Sequence, residues 1–150
     1  MARVSELADH TGYWLRLVSN AVSQAFARKV AGEQVTVAEW ACMRALYGGD
    51  GMSPSVLAGV MGMTRGAISK LADRLVAKGL VARTDNARDR RAQHLALTDA
   101  GTVLVPRLAA LADQNDAEFF GVLSDKERRA LETALAALVE RRGLQGVPVD

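Results

Sequence analysis

The 150-residue sequence predicts a mainly α (α+β) fold, a winged helix-turn-helix set between long helices. Three observations carry that expectation. Between Ser53 and Gly79, two helical stretches are separated by a glycine turn, the helix-turn-helix signature. From Leu80 to Leu97 there follows a short two-stranded ribbon with a charged tip. On either side, residues 4–31 and 98–143 repeat apolar side chains at spacings of three and four, giving more apolar surface than a winged helix could cover.

The elements follow in order. Residues 4–31 form the first predicted helix, with Leu7, Thr11, Trp14, Leu15, Val18, Val22, Phe26 and Val30 on one side and Gly32 at its end. Tyr13 and Leu17 widen the apolar surface beyond one stripe, so this helix is expected to meet two partners. Thr36-Val-Ala-Glu39 has capping-box spacing and starts a second helix whose buried side is Trp40, Met43, Leu46 and Tyr47. Cys42, one turn before Leu46, reads as a small core residue. Arg44 lies beside the same apolar set, placed to pair with an acid or with a ligand carboxylate. Ser53 suits an N-cap and Pro54 the first helical position, giving a helix from Pro54 to about Met61. Gly62 supplies the turn, and Thr64 caps the next helix, which ends at Gly79. Residues 80–83 and 93–97 read as strands, with TDNARDRRA as the loop between them. Thr98 caps a long helix to about Val122, its buried side marked by Val103, Leu104, Leu108, Leu111, Ala112 and Phe119, and Pro106 is expected to bend it. Ser124-Asp-Lys-Glu127 is a second capping box, opening a last helix to about Arg142 with Leu131, Leu135 and Leu138 as its stripe.

The helix after Thr64 carries the chemistry. Ile68, Leu71, Ala72 and Leu75 form one apolar face. At about 100° per residue, Gly66, Ser69, Lys70 and Asp73 lie opposite, with Arg65 in the first turn. Short and basic groups beside a helix N-terminus suit insertion into a major groove; a solvated amphipathic helix has the same pattern. The ribbon decides between them. From Thr64 to His94 there are eight Lys/Arg against three Asp, a local +5 where the whole chain carries +2, so the remainder carries −3. The positive charge is concentrated on the two elements that would meet phosphate. Arg65 and Ser69 are the candidates for base edges. Thr64, Lys70 and Arg74 are candidates for phosphate, with Ser53 assisting from the preceding helix, and Arg88 and Arg90 for the minor groove or its backbone.

Composition excludes other classes. No apolar run approaches the ~20 residues that span a bilayer, and MARVSELADH lacks the apolar stretch of a signal peptide, so a cytoplasmic protein is expected. One cysteine allows no internal disulfide. Two distant histidines and that cysteine have no zinc-ligand spacing, no phosphate-cradling glycine loop is present, and no nucleophile lies near a base. No catalytic residue, metal or cofactor is therefore expected. A helical interaction module without DNA binding would be expected to lack the wing arginines, which are present.

Thr36 to Leu46 (TVAEWACMRAL), Met63 to Gly79 (MTRGAISKLADRLVAKG) and Asp89-Arg90-Arg91 through Leu95-Ala-Leu-Thr to Gly101 resemble the MarR family of winged-helix regulators. The resemblance covers essentially the whole chain as one unit, 1–150. It implies a DNA-binding region at 36–97 (wing about 80–97), dimerisation helices at 4–31 and 98–143, and a homodimer on pseudo-palindromic double-stranded DNA. It also implies a repressor released by a small molecule or by oxidation. Activation, or regulation without a ligand, stays open. The resemblance marks the Asp89/Arg91 pair, and electrostatics gives a reason: a carboxylate facing DNA repels phosphate unless an arginine holds it. Asp73, Asp89 and Arg91 are thus assigned to shaping the wing, a wing arginine being the candidate partner of Asp73. Tyr13, Trp14, Trp40, Met43 and Arg44 form the candidate pocket for a small aromatic effector; for Tyr13 and Trp14 the other reading is core and dimer packing. Some family members sense oxidants through a cysteine near the start of the first helix, where this chain has none. Oxidation sensing would have to pass through Cys42.

Overall fold

The computed structural model describes the backbone of residues 1–86 and 89–149, and their side chains except those of 85, 86 and 89–92. The order is α1 (Thr11–Ala31), α2 (Val37–Leu46), α3 (Pro54–Met61), α4 (Arg65–Ala77), β1 (Val81–Asn86), β2 (Asp89–Leu97), α5 (Asp99–Phe120) and α6 (Asp125–Arg142). Among the described residues no helix is long and apolar enough to cross a membrane.

The caps written into the sequence are made. Thr36 Oγ1 accepts the Glu39 N–H at 3.1 Å, and Glu39 Oε1 accepts the Thr36 N–H at 3.0 Å. Ser124 and Glu127 repeat the exchange at α6. Ser53, Thr64 and Thr98 each accept the amide three residues on. Every such bond satisfies a donor the helix leaves orphaned, worth about 1 kcal/mol.

α1 begins at Thr11, not at residue 4. Residues Leu7–Asp9 make a separate 3-10 turn, and His10 is extended at φ −105°, ψ 126°. The Trp14 indole N–H donates to the Ala8 carbonyl at 2.9 Å. In a straight helix that carbonyl would be taken by Gly12, so the break lets the indole satisfy its only polar atom. α5, in contrast, runs on through Pro106 as a single element; the proline removes one donor, toward the Thr102 carbonyl.

The ribbon is antiparallel. Val81 pairs with Leu97, Arg83 with Leu95 and Asn86 with Asp89, with a register shift between Asp85 and Asn86. Its strands take in 84–86 and 89–92, which the sequence pattern assigned to the loop. On the other edge of β2, Met52 pairs with Leu95 through hydrogen bonds of 2.9 and 2.8 Å. At the base of the wing, Thr98 donates through its hydroxyl to the Gly79 carbonyl at 2.6 Å and through its amide to Leu80 at 3.1 Å. A Cβ on Gly101 would lie 2.2 Å from the Leu80 carbonyl oxygen. Only glycine lets α5 cross the ribbon this closely, which is the physical reason for the L-x-L-T-x-x-G run.

One core lies between α2, α3, α4, the ribbon and the inner ends of α1 and α5. Met43, Leu57, Ile68, Leu75, Leu95 and Leu108 are fully buried in it. Two polar joints brace it. Lys78, at the end of α4, donates to the Gln34 carbonyl at 2.7 Å and to Glu39 Oε1 at 2.9 Å, with Oε2 at 2.8 Å. Burial raises the Glu39 pKa, but the bonds from Lys78 and Thr36 outweigh it and hold the carboxyl below its ordinary range. The buried Asn115 of α5 donates to the Val22 carbonyl of α1 at 3.2 Å and accepts from Lys29 at 3.0 Å. The outer parts of the long helices are different: in α1 only Val30 is buried, and in α6 no residue is.

Candidate nucleic-acid interface

α4 is held by its inner face and offers its outer one. Ile68, Leu71, Ala72 and Leu75 are buried against α2, α3 and β1, while Thr64, Arg65, Gly66, Ser69, Lys70, Asp73 and Arg74 are exposed. Gly62, at φ 66°, makes the turn from α3, and Thr64 Oγ1 caps α4 by accepting from Ala67 at 3.1 Å. The helix therefore starts with its N-terminal amides, Arg65 and Ser69 free to approach a duplex. Ser53 is half-buried, its hydroxyl accepting from Val56 as the α3 cap.

Asp73, the one acid on this face, is paired with Arg83 of β1. The ion pair fastens the ribbon to α4 and offsets the negative charge of Asp73 on this face. The partner sought for Asp73 among the wing arginines is thus Arg83, a residue assigned no role from the sequence. Its signal was available: Arg83 lies in the first strand, ten residues after Asp73. The side chains of Asp89, Arg90 and Arg91, and Arg88 as a whole, lie outside the described residues.

The five residues proposed to line one effector pocket do not converge. Trp40 and Arg44 line a cleft of about 870 Å³ with Phe26, Val60 and Arg74, walled on one side by Val147, Pro148 and Val149. Met43 is fully buried beneath it in the core. Trp14 lines a different groove, about 560 Å³, with Leu15, Val18, Phe119, Phe120 and the Leu131–Leu135–Leu138 stripe of α6. Tyr13 is exposed and stacks edge-on to Trp14 at 5.4 Å. The separation follows from position along α1: both aromatics sit at its start, more than three turns before Phe26. Arg44 makes no ion pair among the described residues and instead stands over the Tyr47 ring at 5.7 Å. Arg74, expected on phosphate, is at the margin of the exposed face of α4, where it also borders the cleft.

Cys42 is 1% exposed. Burial first, and then the charge of Glu39, push its thiol up to about 11. Such a group is a protonated core residue and a poor target for oxidants. Among the described residues no cluster of His, Cys, Asp or Glu is placed to hold a metal.

Comparison with known proteins agrees with this architecture. Residues 33–92 match the model of the MarR family. A Thauera aromatica protein described as a transcriptional regulator of the hcr operon is 32% identical over 126 residues, covering 83% of this chain and 76% of that one. Among solved structures, a transcriptional regulator from Pseudomonas aeruginosa superposes with a TM-score of 0.78 at 26% identity, covering 89% of this chain and 99% of that one. Staphylococcus aureus MepR in its complex with DNA superposes with a TM-score of 0.77 at 22% identity, over 88% of this chain and 98% of that one. The chain accordingly belongs to the MarR family: it is a winged helix-turn-helix, DNA-binding transcriptional regulator and not an enzyme.

Proposed function

We propose that the protein is a cytoplasmic homodimeric repressor that binds a pseudo-palindromic operator and is released by a small aromatic acid. The observation that carries the DNA reading is the outer face of α4, where Thr64, Arg65, Gly66, Ser69 and Lys70 are exposed together and Asp73 is paired with Arg83. Arg65 and Ser69 meet base edges; Thr64, Lys70 and Ser53 meet phosphate, and Arg74 reaches phosphate from the margin of the face. Arg88 and Arg90 extend the contact along the duplex, and Asp89 with Arg91 shapes the wing. A dimer seated on a promoter excludes polymerase, which makes repression the simplest outcome.

The dimer reading rests on α1 and α6. Trp14, Leu15, Val18, Leu135 and Leu138 are all at least one-third exposed, and they flank one open apolar groove. A second copy covering this surface, with α5 contributing Phe119 and Phe120, would remove it from water. Two recognition helices would then reach successive major grooves about one helical turn, roughly 10 bp, apart.

The effector reading moves to the cleft at Trp40. Phe26 and Trp40 offer aromatic walls, and Arg44 and Arg74 offer two guanidinium groups to a carboxylate. A ligand here touches α1, α2 and α4 at once, and it releases DNA by binding better to a spacing of the reading heads that does not fit the operator. Titrating the protein against DNA from upstream of its own gene, with and without salicylate, tests both halves. Binding without salicylate and release with it is expected. Binding that salicylate leaves unchanged would remove the aromatic-acid reading; no binding would remove the operator assignment.

A further inference from the structure

The segment after α6 does not leave the molecule. Gly143 ends α6 in a left-handed conformation, φ 61°, and the chain turns back toward the helix-turn-helix. The Val147 N–H donates to the Met61 carbonyl, at the last residue of α3, with a distance of 3.2 Å. Gly146 passes over Gly62, the turn residue between α3 and α4, so closely that a Cβ on Gly62 would lie 3.0 Å from the Gly146 Cα. Val149 then packs against the core. Residues 147–149 at the same time form one wall of the cleft that holds Trp40, Arg44 and Arg74.

α6 has no buried residue and packs only lightly on the rest of its own chain. A second copy would hold α6 in the proposed dimer, but within one protomer few contacts other than this segment link α6 to its own reading head. The segment supplies a second attachment, and it does so at the turn that sets the angle between α3 and α4. Its docking is slight: residues 144–148 are exposed, and Val149 is half-buried. A slight, backbone-mediated attachment of this kind forms and releases readily.

We infer that residues 144–149 are a strap that ties α6 to the α3–α4 turn and holds the reading head in its DNA-binding orientation. When the strap is docked, the orientation is set before DNA arrives. When it is released, the reading head samples more orientations, and only the competent fraction binds. Since the strap is also a wall of the cleft, anything seated beside Trp40 presses on the same tether. The inference rests on the DNA-binding reading and needs no ligand.

The test is Gly146→Val in the full chain. Gly146 stands at φ +95°, where a β-branched residue is strained whatever the space, and a Cβ there would be in van der Waals contact with the Met61 oxygen at 3.6 Å and the Gly62 Cα at 3.7 Å. The strain falls on the strap and leaves α3 and α4 unaltered in sequence. A second variant ends the chain at Gly143. Spin labels at the exposed Ser69→Cys and Lys126→Cys, in a Cys42→Ser background diluted with unlabelled protein, report the distance from α4 to α6 within one chain. Both strap variants are expected to broaden that distance distribution, and in unlabelled protein with Ser69 restored to weaken binding to the upstream DNA about five-fold. A distribution as narrow as in the unmodified strap overturns the inference, whether or not DNA binds. So does a broadened distribution with DNA affinity unchanged or increased, because the strap would then not hold the binding orientation. Failure of the unmodified protein to bind DNA would count against the operator assignment, and the distance measurement would still decide the strap.

Discussion

Lys78→Ala is the substitution whose effect the structure specifies most fully. Lys78 is the only described cation paired with Glu39, whose side chain is 1% exposed, and it also caps the Gln34 carbonyl at 2.7 Å. Removing it leaves a buried carboxylate with the Thr36 bonds alone. Breaking a buried ion pair from one side costs about 3–5 kcal/mol. The lower end, about 3 kcal/mol at neutral pH, applies here because the Lys78 side chain is 38% exposed and water can follow it in. The pH dependence has a definite sign. In the unmodified protein the Glu39 pKa is lowered, so its stabilisation is present above the ordinary carboxyl range and is lost as pH falls through the lowered folded value. Without Lys78, burial is left as the main influence and raises the carboxyl instead. Mild acid then protonates Glu39 in the variant and relieves the penalty, so the stability gap narrows as pH falls from 7 toward about 5. Urea unfolding followed by circular dichroism at both pH values, at one fixed protomer concentration, measures it. A loss within about 0.5 kcal/mol, the range of ordinary surface changes, or a gap that does not change with pH, would refute the reasoning.

Four further variants have definite expected outcomes. Leu138→Glu places a carboxylate in the apolar groove of α1, α5 and α6, and sedimentation should show dimerisation weakened by several kcal/mol, about the cost of burying an unpaired charge; an unchanged dimer would move the interface elsewhere. Cys42→Ser should leave the response of DNA binding to peroxide as it is in the unmodified protein, because the thiol is buried and pushed up to about 11; loss of a peroxide response in that variant alone would make Cys42 the sensor. Arg90→Ala should weaken DNA binding by roughly 1–3 kcal/mol with little change in thermal stability, and Asp89→Ala should also weaken binding although it removes a negative charge; tighter binding by Asp89→Ala would end its wing-shaping assignment.

The parts of this fold legible in the sequence are those fixed by local chemistry. Thr36/Glu39, Ser124/Glu127, Ser53-Pro54 and Thr64 mark helix starts because the capping side chain and its amide are three residues apart. The buried face of α4 follows from helical spacing alone. What was missed depends on residues far apart in sequence. The Glu39–Lys78 joint and the Asn115–Val22 bond each join separate elements, and no periodicity reports them; for Asp73 the charge argument points to a wing arginine without saying that it is Arg83. The strands of the wing extend through 84–86 and 89–92 because backbone pairing does not require the apolar alternation those residues lack. In α5, Val103 was placed on the buried side but is 67% exposed, while Val105 is buried. The buried face of α5 runs through Gly101, Val105, Leu108 and Asn115, with Leu104 and Leu111 packed beside it; the leucine spacing marks that face, and Val103 points away from it. The effector pocket failed for a related reason: aromatic residues cluster in α1 and α2, but the helices bring Trp40 to Phe26 and leave Trp14 with α6.

The central claim is that α4 and the wing bind an operator through a concentrated positive surface presented twice by a dimer. Its most direct measurement is the salt dependence of binding to a duplex from upstream of the protein's own gene. If each subunit neutralises about four phosphates, the dimer neutralises about eight, and log K should fall with log salt at a slope near −7. Lys70→Ala should make the slope shallower by about 2, one phosphate per subunit, whatever the duplex sequence. A slope near zero, or a slope that Lys70→Ala leaves unchanged, would contradict the assignment of this face to DNA.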